Sequence, residues 1–328
     1  MEIEKMWTEE FRPKRLDDVA GQEGVVTSLK TFTNQGDIPH LLFAGPPGVG
    51  KTSCAYALLH EIYPKGFRGN VKSMNASDDR GIDIVRKDIK DFASLIPRDG
   101  AQFKVILLDE ADQMTRDAQH ALRRTMERFH RSTRFILTCN YSSRIIDAIQ
   151  SRCALFRFTE IPEETIKNRL REIAKIKNLN VTEDGLNALI EVSEGDLRRA
   201  INTLQASAAV GQKINEAIVY MIRSYAKPAE IEEIILTCLD PNQKISQAFE
   251  RSQRMVGQLF RKYGLSGTDV VSHFNRVLVE MSSKKISDAV RVEAISLLSD
   301  VDFRISEGSN PVIQIGGFLA RLIKLGRV

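Results

Sequence analysis

Few local patterns limit a fold as tightly as an apolar strand that runs into a glycine-rich turn and out into a helix. Here His40-Leu-Leu-Phe-Ala44 leads into Gly45-Pro-Pro-Gly-Val-Gly-Lys-Thr52, and a helical pattern follows over Thr52–Ile62. The turn matches G-x-x-x-x-G-K-[ST] in the strand–turn–helix setting the pattern requires. Its glycines let backbone N–H groups turn inward around phosphate oxygens, and the helix N-terminus adds a favourable partial charge. Lys51 is expected to reach the β- and γ-phosphates, and the Thr52 hydroxyl to ligate Mg²⁺. The expected nucleotide contacts are Gly45, Pro46, Pro47, Gly48, Val49, Gly50, Lys51, Thr52 and the adjoining Ser53. A glycine turn that fits the pattern by chance is the alternative, and the flanking elements argue against it.

Such a loop calls for a parallel sheet built from βαβ units. Further strand-like runs are Val71–Asn75, Lys104–Leu108, Thr133–Thr138 and Cys153–Phe158, with helical patterns over Ile82–Leu95 and Arg116–Arg131 between them. After Ile161-Pro162 the pattern is helical throughout, over Glu163–Lys177, Thr182–Val192 and Asp196–Val210. Breaks fall at Ala226-Lys-Pro228, Gly264–Gly267 and Gly308–Pro311, and Asp240-Pro241 reads as a helix start. The expected division is 1–161 for a nucleotide-binding core, 162–227 for a helical lid and 228–328 for a second helical unit. A length of 328 residues suits two or three domains, and 42% apolar with 27% charged residues is the composition of a soluble globular chain.

Several classes of protein are disfavoured. The first residues are acidic and lack an apolar core, so no secretory signal is expected, and no window approaches the roughly 20 apolar residues of a membrane span. The four cysteines, Cys54, Cys139, Cys153 and Cys238, never form C-x-x-C and read as reduced thiols of an intracellular protein. No metal site built wholly from protein ligands is expected. A formal charge of +4 announces no global affinity for nucleic acid.

Leu107-Leu-Asp-Glu-Ala-Asp112 ends the third strand with paired carboxylates. Following a phosphate loop, Asp109 is expected to hold Mg²⁺ through water and Glu110 to polarise the attacking water. Asn140 closes the next strand with a neutral amide that can orient water without competing for the metal. Nothing resembles the N-K-x-D that reads guanine, so ATP is preferred over GTP.

With these pieces in order the chain resembles the small subunits of replication factor C, the sliding-clamp loaders of archaea and eukaryotes, and is closest to the archaeal form. The likeness spans essentially the whole length. It rests on Phe11-Arg-Pro13 with Leu16-Asp-Asp-Val-Ala-Gly-Gln22, on Asn75-Ala-Ser-Asp-Asp-Arg-Gly81, and on Glu127 in an arginine-rich helix. Ser151-Arg-Cys153 and Gly195-Asp-Leu-Arg-Arg-Ala-Ile-Asn202 complete the set. The resemblance implies an α/β P-loop core of the AAA+ type with a parallel sheet, an all-α lid and an all-α C-terminal collar. It implies an arginine finger at Arg152, acting in trans on ATP held by a neighbouring subunit. It also implies a lid cation at Arg198 touching the γ-phosphate, with Arg199 adjacent and the choice between them open. Val19 and Arg12-Pro13 resemble the adenine-side pocket, and Asn75 a polar switch that restrains the catalytic glutamate.

On a wheel of about 100° per residue that starts at Arg80, residues Arg86, Lys87 and Lys90 fall at roughly 240°, 340° and 280°. Val85, Ile89 and Phe92 gather near roughly 120–180° by the same count. A solvated amphipathic helix has this pattern too, and the resemblance is what points to Arg80, Arg86, Lys87 and Lys90 as cations tracking a DNA backbone. Between Arg116 and Arg134 stand six arginines against Asp117 and Glu127, shared between DNA and subunit interface in a way the sequence leaves open. Recognition is expected to be of duplex shape and charge, since no aromatic residues interleave with the cations.

The resemblance thus implies an ATPase that opens a DNA sliding clamp of the PCNA type and loads it onto primer–template DNA, with clamp- and DNA-stimulated hydrolysis. Its implied partners are a large subunit, further small subunits, the clamp and duplex DNA, with no membrane. The compartment is the cytoplasm for an archaeal source and the nucleus for a eukaryotic one. The alternatives are a branch-migration helicase of the same superfamily, which needs a C-terminal winged helix not visible here, and a non-hydrolysing scaffold, against which the intact site residues argue.

Overall fold

Three of the five strands form because their residues are mostly β-branched or large and apolar and are buried on both faces, the condition for a parallel sheet, while the two edge strands are more polar and half-exposed. A computed structural model describes residues 6–67, 69–77, 85–211, 213–223 and 225–327, and at 85 and 86 the backbone alone. In it β1 is His40–Ala44, β2 Val71–Asn75, β3 Lys104–Asp109, β4 Thr133–Cys139 and β5 Cys153–Arg157. They pair in the order β2-β3-β4-β1-β5, all parallel. From Val105 to Leu108 the interior strand β3 is buried. One face of the sheet packs Leu42, Ile106, Phe135 and Leu137 against Leu122 and Met126 of the helix Arg116–Phe129.

The order of the strands sets the site. β1 lies between β4 and β5, so the loop leaving its C-terminal end stands beside the ends of β3 and β4, where the carboxylates and Asn140 emerge. Register sharpens this: Leu108 pairs with Leu137 and Asn75 with Asp109, which brings Asn75, Asp109 and Thr138 to one rim.

The chain divides into two compact units, Met1–Lys213 and Ile214–Val328. In the first, the sheet is followed by helices Glu163–Ile176, Glu183–Ser193 and Leu197–Val210. Thr182 and Asp196 cap the last two by accepting from the N–H groups of Gly185 and Arg199. The second unit opens with the helix Glu216–Arg223, ahead of the Ala226-Lys-Pro228 break. Tyr220 stacks on Tyr225 at 5.4 Å, and Tyr225 meets His273 edge-on at 4.4 Å, which binds that stretch to the later helices. Helices Pro228–Leu239, Ile245–Tyr263, Gly267–Glu280, Asp288–Ser306 and Pro311–Leu325 complete it.

Two local expectations need correction. Asp240-Pro241 does not start a helix: the Asp240 side chain accepts from the Asn242 N–H at 2.9 Å, closing a turn, and the helix begins at Ile245. The helix expected over Ile82–Leu95 has residues 82–84 outside the described part. It runs as a π-helical turn over Val85–Ile89 and an α-helix over Lys90–Ser94, so a wheel of 100° per residue does not hold across it. Among the described residues no helix is long and apolar enough to cross a membrane.

Candidate functional site

The glycine loop is shaped by contacts that exclude side chains. A Cβ at Gly45 would lie 2.3 Å from the Phe158 carbonyl oxygen. Gly48 has φ +70°, and a Cβ there would lie 1.8 Å from an Asp196 carboxylate oxygen, so the loop presses on the cap of the helix Leu197–Val210. Gln22 fastens the loop from behind. Its Nε2 donates to the carbonyls of Thr159 at 2.8 Å and Val49 at 3.4 Å. Phe11, Arg12, Val19, Thr52, Asn140 and Arg198 are among the residues lining the cleft in front of this loop.

Lys51, only 8% exposed, donates from Nζ to the carbonyls of Gly45 and Pro46 at 2.7 and 2.6 Å and to Asn140 Oδ1 at 3.0 Å. Burial holds its ammonium below the usual lysine range, while Cys139, Asp109 and Asp112 push the other way and Arg198 adds to the lowering. The Thr52 hydroxyl stands 3.0 Å from both carboxylate oxygens of Asp109. Asp109 also accepts from the Thr138 hydroxyl, whose oxygen in turn accepts from the Glu110 N–H at 3.2 Å. Glu110 itself takes a left-handed conformation at φ 55°, costly for a residue with a Cβ, which turns its carboxyl off the strand direction. Cys139 is buried beside this lysine, and burial pushes its thiol up to about 12, so it stays a thiol.

These groups fit a nucleoside triphosphate with Mg²⁺. Loop N–H groups and one ammonium face the cleft, and a hydroxyl and a carboxylate stand together, a donor set suited to an ion that keeps several waters. Among the described residues no three His, Cys, Asp or Glu side chains gather as a metal cage.

Gly45, Gly48, Gly50, Lys51, Thr52, Asp109, Glu110 and Asn140 thus come together at one rim, and Arg12 and Val19 line the same cleft. Arg12 stacks on Tyr56 at 4.9 Å and pairs with Glu9. Of the two adjacent lid arginines, Arg198 lines the cleft, whereas Arg199 is paired with Glu194 at 2.7 Å. Arg152 does not join the group. It precedes Cys153, the partner of His40, whereas the glycine loop follows Ala44, the partner of Arg157. At about 3.3 Å per residue the two stand roughly 20 Å apart along the strands, beyond the reach of an arginine side chain.

Of the residues read as DNA contacts, Lys87 and Lys90 are exposed and Ile89 is buried beneath them. Arg80 lies outside the described residues, as does the side chain of Arg86. Among the arginines of 116–134, Arg134 belongs to the scaffold: its Nη2 donates to both oxygens of Asp37 at 2.9 and 3.1 Å, and its Nε to the Ile38 carbonyl at 2.6 Å.

Sequence reading missed two residues of the site. Thr138 is one; its signal was present, since a hydroxyl residue ends an apolar strand two positions before Asn140, and its hydroxyl meets Asp109. Asp112 is the other. It is buried, and one of its oxygens accepts from the N–H groups of Asn140 and Tyr141 at 3.2 Å each, fixing the loop that presents Asn140.

Comparison with known proteins agrees with this geometry. Residues 41–161 match the ATPase family associated with various cellular activities, 168–209 the RCF1/5-like AAA+ ATPase lid domain, and 226–321 the replication factor C C-terminal domain. The chain is 47% identical to the replication factor C small subunit of Archaeoglobus fulgidus, covering 100% of both chains. It is 46% identical to that of Methanosarcina barkeri, covering 97% of this chain and 96% of the other. Among solved structures, the Thermotoga maritima RuvB Holliday junction branch migration motor has a TM-score of 0.54 at 17% identity, over 77% of this chain and 90% of that one. That likeness is one of fold alone. A phosphate loop, a rim of carboxylates, a helical lid and a helical C-terminal unit, with full-length relatives at this level, lead to one conclusion: the chain belongs to the replication factor C small-subunit family of AAA+ ATPases.

Proposed function

We propose that this ATPase is a subunit of a ring that opens a DNA sliding clamp and places it on primer–template DNA, with hydrolysis stimulated by clamp and DNA. In this reading residues 1–161 bind nucleotide, 162–227 close over it and 228–328 form the collar that holds the ring. Loop N–H groups and Lys51 bind the phosphates, and Thr52 and Asp109 are the residues that hold Mg²⁺. The bound ion neutralises charge on the phosphoryl group. Glu110 takes the proton of the attacking water, Asn140 orients that water, and Arg198 carries the lid onto the γ-phosphate. Lys87 and Lys90, with Arg80 and Arg86, follow the phosphate backbone of the duplex. The names of the archaeal relatives support a replicative role, and the cytoplasm is the compartment that goes with the archaeal reading.

The observation that carries this reading is the separation of Arg152 from the phosphate loop of its own chain. A guanidinium set at the far end of β5 cannot reach its own nucleotide, which supports a role on one held by another subunit and a link between hydrolysis and assembly. The test is Arg152→Ala in the assembled complex. ATP affinity is expected to be unchanged, while clamp- and DNA-stimulated turnover falls by about a thousandfold or more. Turnover at the wild-type rate would remove the trans assignment.

A further inference from the structure

Arg152 is held before any neighbour arrives. Its Nη2 stands 2.5 Å from Glu127 Oε1, and its Nη1 donates to the Ala148 carbonyl at 2.6 Å and reaches Ser151 Oγ at 3.4 Å. Glu127 lies in the last turn of the helix Arg116–Phe129, and Arg123 lies one turn earlier with Nε 3.9 Å from the same carboxylate oxygen. The Glu127 backbone carbonyl faces His130 Nδ1 at 3.0 Å, which ties down the helix end that carries it.

Stability does not account for the pair. Both side chains are more than a third exposed, 37% for Arg152 and 41% for Glu127, and such surface pairs contribute little to folding. What the pair does change is freedom. An unrestrained arginine has many rotamers and loses that freedom when it docks on a phosphate. A carboxylate on one terminal nitrogen and a carbonyl on the other set the plane and direction of the guanidinium in advance, the preorganisation that transition-state stabilisation requires.

We propose that Glu127 is a positioning residue for Arg152, aiming its guanidinium out of the subunit toward nucleotide on the neighbour; this rests on the trans reading of Arg152 given above. Glu127 touches no nucleotide and acts through Arg152 alone. Competition is the opposite possibility, in which the carboxylate parks the arginine and its removal speeds hydrolysis.

The experiment measures steady-state ATP hydrolysis and ATP affinity in the full assembly, its native mass confirmed, for Glu127→Gln, Glu127→Asp, Glu127→Ala, Arg152→Ala and the Glu127→Ala/Arg152→Ala double variant. Gln keeps an acceptor at the same reach and is expected to retain turnover within about threefold, whereas Asp and Ala lower kcat by about tenfold with ATP affinity unchanged. The double variant is expected to be no slower than Arg152→Ala. Equal or faster turnover in Glu127→Ala overturns the proposal, as does a further loss in the double variant or a fall in ATP affinity. Should Glu127→Ala not assemble, the contrast between Gln and Asp decides alone, and equal rates for those two overturn it. An active Arg152→Ala complex sinks the trans reading itself, whereas an inactive one beside a normal Glu127→Ala sinks only the role of Glu127.

Discussion

Gly48 shows how little room single side chains have here. Its backbone is left-handed, and the space a methyl group needs is filled by the Asp196 carboxylate that caps the helix behind it. Gly48→Ala must strain the loop or dislodge the cap, at a combined cost of about 1–3 kcal/mol. The expected result is a lower melting temperature together with weaker ATP binding by calorimetry; wild-type affinity would show that the loop tolerates the methyl. His40 offers a second test. Burial first, then the charges of Arg134 and His130, lower its pKa from 6.5 to about 4, and its Nδ1 accepts from the Phe135 N–H at 3.1 Å. Its folded pKa lies below its unfolded one, so the unfolded chain binds more protons between these values. The neutral ring therefore contributes fully above about pH 6.5, and the contribution is lost as pH falls toward 4, by about 3 kcal/mol at most. His40→Asn, whose Oδ1 can replace Nδ1 as acceptor, is expected to flatten the fall in melting temperature between pH 7 and pH 4.5; an unchanged slope assigns it to other groups.

The helix that offers Lys87 and Lys90 is anchored at its far end by buried polar side chains of the sheet. Lys104, at the start of β3, donates from Nζ to the Phe92 carbonyl with the Phe92 ring 3.6 Å below, and the Thr133 hydroxyl donates to the Ala93 carbonyl at 3.3 Å. Burial, with Arg98 adding to it, lowers Lys104 to about 8, so below that pH the fold carries the cost of a desolvated ammonium. Lys104→Met removes that cost and the anchor together. Global stability is expected to change by less than about 1 kcal/mol, while amide exchange over residues 90–95 quickens. Protection equal to wild type would mean that packing of Ile89 alone holds the helix. Such an arrangement was not legible in the sequence, where Lys104 reads only as the polar first residue of an apolar run. The strands were legible because parallel-sheet strands are continuous apolar runs with sharp ends, and the phosphate loop because each residue type in it has a chemical reason. The π-helical turn over Val85–Ile89 left no trace in the apolar spacing, which reads as an ordinary helix. The choice between Arg198 and Arg199 also needed structure: Glu194, which takes Arg199, stands at φ 53° just past a helix end, a backbone turn that fixes where its carboxylate points and that the order of residues does not show.

At the scale of the whole chain, the proposed binding of duplex DNA, with exposed lysines and a net charge of only +4, calls for counterion release on one face rather than overall attraction. Lys87→Ala and Lys90→Ala are each expected to reduce the slope of log affinity against log salt by about 1 for primer–template DNA, with equal losses on any sequence. A loss confined to particular sequences would mean that these residues read bases. The glycine loop and Arg152 at opposite ends of the β1–β5 pair have a consequence for behaviour under dilution. On the trans reading each molecule carries the cradle of one reaction centre and the missing charge of another, so a solitary chain cannot finish the reaction alone. On the trans reading, turnover per chain therefore climbs with concentration until every cradle has a neighbour, and nucleotide is safe from idle consumption in any molecule that has not yet found its place.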